Sequence, residues 1–286
     1  MRAKVRGTEI YFDVEGAGLV ADGATLRDKP VAFAIHGGPG SDHSGLRPGF
    51  SPLSDRMQIV YFDHRGSGRS GKGDKSKYTL EENIDDMEAL RQHLGVGPIV
   101  SMGTSYGGMM AMAHAIKYPQ AVSHLVLIVT AAHSGIIERS REIAGVRGTP
   151  AQKKWVEDLY AGRIDTSEKL TTFHHEMGPL YAVTFDEAAS LKRQALAKYE
   201  PEPLNRAFAP GGFMRSFDLR PKLGAIRVPT LILAGRQDWI CAPEFSEEIH
   251  RLIPGSKLVI FENSSHSMRL DEPEGMRREI AAFVGV

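Results

Sequence analysis

Pro98-Ile99-Val100-Ser101-Met102 leads directly into Gly103-Thr104-Ser105-Tyr106-Gly107, which leads into Gly108-Met109-Met110-Ala111-Met112-Ala113-His114-Ala115-Ile116. The first segment is short, apolar and β-branched, and the last is an apolar run of helical length, so the G-x-S-x-G between them falls where a strand hands over to a helix. Such a turn is tight enough that the residues two before and two after the serine must be glycine or very small. It lifts the hydroxyl clear of the backbone, at the positive end of the helix that follows. The five-residue pattern alone is common. With a strand before it and a helix after it, the pattern points to a serine nucleophile.

A serine nucleophile needs a base and an acid to orient the base. Val228-Pro229-Thr230-Leu231-Ile232-Leu233-Ala234-Gly235 reads as a late strand, and Asp238 is the first acid beyond it. Lys257-Leu258-Val259-Ile260-Phe261 reads as the next strand, and His266 lies in the loop after it. Ser105, Asp238 and His266 each follow the C-terminal end of a predicted parallel strand, the edge at which an open α/β sheet collects its ligand-binding groups. The order serine, acid, histidine along the chain is that of the α/β-hydrolases.

The fourth requirement is a pair of donors for a developing oxyanion. His36-Gly37-Gly38-Pro39-Gly40 follows the apolar strand Val31-Ala32-Phe33-Ala34-Ile35. Consecutive glycines let the backbone turn its amides inward with no Cβ in the way. The backbone N–H groups of Gly38 (with Gly37 as the alternative) and Tyr106 are the candidate donors. His36 reads as a structural residue that orders the glycine loop.

His36-Gly37-Gly38-Pro39-Gly40, Asp63-His64-Arg65-Gly66-Ser67-Gly68-Arg69-Ser70 and the serine elbow together resemble the prolyl iminopeptidase branch of the α/β-hydrolases. The first motif is fairly specific to that branch, whereas the other two recur across the superfamily. The resemblance implies an α/β-hydrolase fold: a mostly parallel central sheet with helices on both faces and a helical cap. It also implies a cytosolic serine peptidase that needs no cofactor and releases an N-terminal residue. The branch holds amidases, esterases and lactonases as well, so the substrate stays open. In the iminopeptidases, cap glutamates hold the substrate's free amino terminus. Glu176, Glu200 and Glu202 are the candidates here, against the alternative of solvated helix-end charges. The chain lacks the tryptophan–glutamate cap signature expected in larger members, which argues against strict proline specificity.

Composition excludes other classes. The chain has 286 residues, with Lys plus Arg and Asp plus Glu at 35 each, so its formal net charge is zero. No basic stripe suits nucleic acid and no polybasic run suits an anionic membrane. The start moves directly into strand-like alternation, and the apolar run near Leu125 to Val129 is far too short to span a bilayer. A single cysteine permits no internal disulfide, which points to the cytoplasm. No metal or organic cofactor is required, the expected partner is a small molecule or short peptide, and the oligomeric state is left open.

Strands are expected within 2–15 and near 31–35, 57–63, 98–102, 123–130, 228–234 and 257–261, with helices near 80–94, 106–118, 243–253 and 273–284. This alternation is that of an α/β core, assigned to residues 1–132 and 218–286. Between 133 and 217 the rhythm breaks into helical patterns at 135–144, 150–161, 166–175 and 186–198, assigned to the cap. Phe208, Phe213, Met214 and Phe217 either line an apolar substrate pocket or pin the cap to the core. His174-His175 lacks the i, i+4 spacing of a helical metal site. Cys241 reads as a small buried residue, and Asp63 with Arg65 reads as an ion pair bracing the oxyanion loop. Three functions stay open: an aminopeptidase or amidase, a carboxylesterase or lactonase, and a non-enzymatic ligand receptor on a hydrolase scaffold.

Overall fold

The computed structural model describes residues 1–286. Ten strands form in chain order: β1 Arg2–Val5, β2 Thr8–Glu15, β3 Leu19–Asp22, β4 Thr25–Asp28, β5 Val31–Ile35, β6 Gln58–Phe62, β7 Ile99–Thr104, β8 Val122–Ile128, β9 Thr230–Gly235 and β10 Lys257–Phe261. Eight of them make one sheet in the order β1-β2-β6-β5-β7-β8-β9-β10. β1 and β2 run antiparallel to their neighbours, and every pairing from β6 to β10 is parallel. The short β3–β4 hairpin stands apart. Its residues are almost all exposed, so it lacks the apolar alternation by which a strand is recognised.

Successive side chains of a strand point to opposite faces, and the central strands are apolar on both. Phe33 and Ile35 of β5 join one core cluster, while Ala32 and Ala34 join the other. The larger cluster lies under the helices Leu80–His93, Tyr106–Lys117 and Pro243–Leu252; the smaller is closed by the helix Pro273–Val284. No helix is long and apolar enough to cross a membrane.

The chain leaves the sheet after β8 and returns before β9. His133 and Asp218 pair as an isolated antiparallel bridge, flanked by the bonds Ser134 N–H to Phe217 O (2.8 Å) and Leu219 N–H to Ala132 O (2.7 Å). Between these roots lie the helices Ile136–Arg147, Pro150–Tyr160, Ser167–Glu176, Glu187–Gln194 and Pro201–Phe208. Thr149 and Gln152 form a reciprocal capping box, with Pro150 in the first turn, where its missing N–H costs nothing. The helix expected over 186–198 stops at Gln194. The helix Pro201–Phe208 has no counterpart in the sequence reading, because Pro201 and Pro203 look like breakers. Both prolines fall in the first turn, where they are tolerated.

Asp63 and Arg65 do not pair with each other, which corrects the expectation. Asp63 accepts from the backbone N–H (2.9 Å) and Nδ1 (2.6 Å) of His43 and from the Arg69 N–H (2.8 Å). Arg65 turns the other way, and its Nε and Nη2 donate to the two carboxylate oxygens of Asp86 at 2.7 and 2.6 Å. One loop thereby braces two neighbours, the His43 segment through Asp63 and the helix Leu80–His93 through Arg65. Both members of the Arg65–Asp86 pair are buried. Burial raises the Asp86 carboxyl above its ordinary range even though Arg65 pulls it down. Removing one partner of a buried pair costs about 3–5 kcal/mol when the other charge is stranded, but Arg6 Nε also lies 3.3 Å from Asp86 and offsets part of that cost. Arg65→Met is therefore expected to lower the unfolding free energy by less than that full amount in urea titration, and a loss below about 1 kcal/mol would contradict the pairing.

Candidate active site

From Ile99 through Ala115, Ser105 is the one residue that is not buried. Its backbone sits at φ 57°, ψ −122°, a left-handed conformation that costs a non-glycine residue about 1–3 kcal/mol. The neighbourhood enforces it. Ser105 N–H donates to Ile128 O at 2.9 Å, and the Thr130 hydroxyl donates to Ser105 O at 2.7 Å. A Cβ on Gly103 would come within 2.2 Å of Gly107 O, and one on Gly107 within 2.2 Å of Ile35 O. The glycines let β7, β5 and the helix Tyr106–Lys117 close around the serine.

His266 and Asp238 lie in the loops after β10 and β9, and Asp238 accepts from His266 Nδ1 at 2.8 Å. The other carboxylate oxygen of Asp238 accepts from the Ile240 and Cys241 N–H groups at 2.8 and 3.0 Å. The buried carboxylate is thus fully satisfied and fixes which imidazole nitrogen carries the proton. Ser105 and His266 line one cavity and are not hydrogen-bonded to each other. Cys241 is buried beside Asp238, and burial pushes its thiol well up, so it offers no thiolate.

Gly37, Gly38 and Tyr106 border the same cavity as Ser105. The N–H groups of Gly38 and Tyr106 are engaged by no loop or capping bond. Gly38 has φ +116°, open to glycine and strained for other residues. His36 orders this loop: its Nδ1 donates to Gly37 O at 2.7 Å, while its Nε2 accepts the His64 N–H at 3.3 Å. The two imidazoles stack at 3.6 Å, and burial lowers the pKa of both, so they stack as neutral rings.

The cavity has a volume of about 230 Å³ and opens between the sheet edge and the helical insertion. Its apolar walls include Met109, Leu159, Phe173, Leu204 and Phe208. Of the five residues expected to contact substrate, only Phe208 is among them. Glu176 is exposed at the end of its helix. Glu200 pairs with Lys72, and Glu202 pairs with Lys75 at 3.1 Å. Phe213 packs against the Tyr106 ring at 6.2 Å, outside the cavity. The three glutamates are helix-end and surface-pair charges, and Phe213 pins the insertion to the core.

The cavity holds other polar groups instead. Tyr181 sets its ring edge-on to His266 at 5.5 Å and to Trp239 at 5.5 Å. His174 stacks on Tyr199 at 4.7 Å, and its burial, with the charge of Arg269, pulls its pKa down to about 4. His175 turns away toward Glu187 at 3.5 Å. Arg193 and Arg269 also line the cavity. No spacing in the sequence marks these residues, because they come from separate helices and meet only through the tertiary fold.

The insertion is bonded to the histidine loop. Asp271 accepts from the Thr184 N–H and hydroxyl through one oxygen, and from the Ser265 N–H at 2.9 Å through the other. Ser267 N–H donates to Tyr181 O at 2.7 Å, and the Ser265 hydroxyl donates to Leu180 O at 2.7 Å. Four of these five bonds cross from the insertion to the histidine loop and its following turn, and fix Tyr181 against His266.

Residues 33–273 match the model of the alpha/beta hydrolase fold family. A proline iminopeptidase of Pestalotiopsis fici is 31% identical over 96% of this chain and 98% of its own length. A proline iminopeptidase of Saccharolobus solfataricus is 32% identical over 87% of this chain and 83% of its own. Among solved structures, a thermophilic esterase from Thermogutta terrifontis superposes with a TM-score of 0.74 at 27% identity, covering 100% of this chain and 98% of the esterase.

Asp271→Ala removes the shared acceptor between the insertion and the histidine loop. Amide exchange at Thr184 and Ser265 is expected to accelerate while the strands of the sheet keep their protection. Unchanged exchange at both amides would show that the tie is not what holds the loop.

Proposed function

We propose that this chain, which belongs to the alpha/beta hydrolase family, is a serine hydrolase that cleaves an amide or ester bond through an acyl-enzyme, and that it acts as a prolyl iminopeptidase-like aminopeptidase or amidase. The observation that carries this reading is Ser105 held at φ 57° on a strand–helix elbow, in one cavity with a histidine hydrogen-bonded to a saturated buried aspartate. The relatives named proline iminopeptidase, matched over nearly the whole chain, support the amide-cleaving form.

Each group then has one task. His266 takes the Ser105 proton as the oxygen attacks the carbonyl carbon, and Asp238 holds the ring in position and stabilises its charged form. The N–H groups of Gly38 and Tyr106 receive the oxyanion; losing one such donor costs roughly 3–4 kcal/mol of transition-state stabilisation. His266 returns the proton to the leaving nitrogen or oxygen. Water then enters, gives a proton to His266 and attacks the acyl carbon, and Ser105 leaves with that proton as the acid departs. Residues 133–217 act as a cap that shields these steps from bulk water. A single, buried cysteine fits a cytoplasmic location.

A second reading, a carboxylesterase or lactonase, is favoured by one feature: no glutamate of the cap reaches the cavity to hold a substrate ammonium. The esterase fold at 27% identity is consistent with it.

Ser105→Ala is expected to keep the melting temperature within a few degrees while turnover of proline p-nitroanilide or p-nitrophenyl butyrate falls by ~10⁴-fold or more. Wild-type-like turnover in the folded variant would remove Ser105 from the mechanism.

A further inference from the structure

The cavity wall carries two guanidinium groups that the fold leaves without an ion-pair partner. Arg269 lies three residues beyond His266, on the single helical turn Met268–Asp271. Its Nε donates to Gly45 O at 2.6 Å, and its stem lies so close to Gly49 that a Cβ there would come within 2.7 Å of Arg269 Cβ. This fixes the side chain along the cavity, yet its two terminal nitrogens have no protein acceptor and it forms no ion pair. Arg193, on the helix Glu187–Gln194, lines the same cavity, and its side chain makes neither hydrogen bond nor ion pair.

Nearby acids are already engaged. Asp42 is the carboxylate in the cavity wall; one of its oxygens accepts from Arg69 at 2.6 Å and from the Lys198 N–H at 3.0 Å, and the other from the Ser44 N–H and hydroxyl. Asp271 is occupied by Thr184 and Ser265, as described above. The remaining polar neighbours are neutral: burial lowers the pKa of His174 to about 4 and pushes the Tyr199 hydroxyl up to about 12. Burial and the charge of Arg193 together lower the pKa of the Arg269 guanidinium, the direction expected for a cation partly withdrawn from water beside a like charge. An anion bound between the two would relieve both costs, and the planar guanidinium fork matches a carboxylate in geometry. An ammonium would meet two positive charges, against which Asp271 is the acid whose charge acts on Arg269.

We infer that this cavity selects substrates carrying a carboxylate in addition to the scissile carbonyl, with Arg193 and Arg269 as its receivers. The inference rests on the hydrolase reading of Ser105 and adds the charge class of the substrate. For an amide substrate the carboxylate is the C-terminus of a dipeptide; for an ester it is a second acid on the acyl chain.

The test compares kcat/KM within matched pairs: mono-p-nitrophenyl adipate against p-nitrophenyl hexanoate, the suberate against the octanoate, and prolylglycine against prolylglycinamide. Ser105→Ala is the blank. In at least one pair the carboxylate member is expected to be favoured by about 10–100-fold, the value of a hydrogen-bonded charge. That ratio is expected to fall about tenfold in Arg193→Gln and to recover in Arg193→Lys. The Arg193 guanidinium makes no bond within the protein, so the variant's melting temperature serves as the folding control. Ratios near one in every pair, or a preference unaltered in both Arg193→Gln and Arg269→Gln, would overturn the inference. An absence of Ser105-dependent turnover with all six substrates would instead overturn the hydrolase reading beneath it.

Discussion

A serine held in a left-handed backbone conformation at the end of a buried strand is the constraint on which the rest of this structure depends. At φ 57° Ser105 carries local strain, and the surrounding fold must over-determine the turn for it to persist. Three contacts do so: the bond from Ser105 N–H to β8, the bond from the Thr130 hydroxyl to Ser105 O, and the near-contact of Gly107 with the end of β5. Two reach β8 and the residues just past its end, and one reaches β5, so the elbow can form only once β5, β7 and β8 are aligned. The parallel sheet is thus the frame that holds one hydroxyl out of an otherwise buried run.

The same sheet edge sets the electrostatics. Asp238 is satisfied by two backbone amides and His266, and Gly38, one of the two proposed oxyanion donors, lies on a loop braced by His36 and the Asp63 network. These groups answer the demands of acyl transfer and say little about what is transferred. Selection falls to the helical insertion and the turn after His266, where Tyr181, His174 and two arginines meet. Because the Asp271 and Ser267 bonds couple that wall to the histidine loop, the selecting surface and the base form one mechanical unit.

The placement of Ser105, Asp238 and His266 was legible in the sequence because its geometry is local. The elbow is written in glycines two residues either side of Ser105, and Asp238 and His266 each follow an apolar strand by a few residues. The strands of the core and its four long helices fall within a residue or two of their expected ranges, because their apolar patterns are continuous. What the sequence hid depends on direction and tertiary contact. Nothing local says that Arg65 turns toward Asp86 and away from Asp63. The two prolines at the start of Pro201–Phe208 resemble a break, although both occupy the first turn. The cap glutamates stood out by composition, yet whether a side chain points inward is decided by packing. Arg193 and Arg269 were invisible for the same reason, since their significance lies in what is absent around them.

The central claim is that Ser105 is the nucleophile of an acyl-transfer site completed by His266. Intact-protein and peptide mass spectrometry after exposure to a fluorophosphonate tests it most directly. One stoichiometric adduct is expected, on the peptide carrying Ser105, which forms at wild-type rate only while His266 is present and slows markedly in His266→Ala. An unmodified Ser105 in folded protein, or labelling that is indifferent to His266, would contradict it.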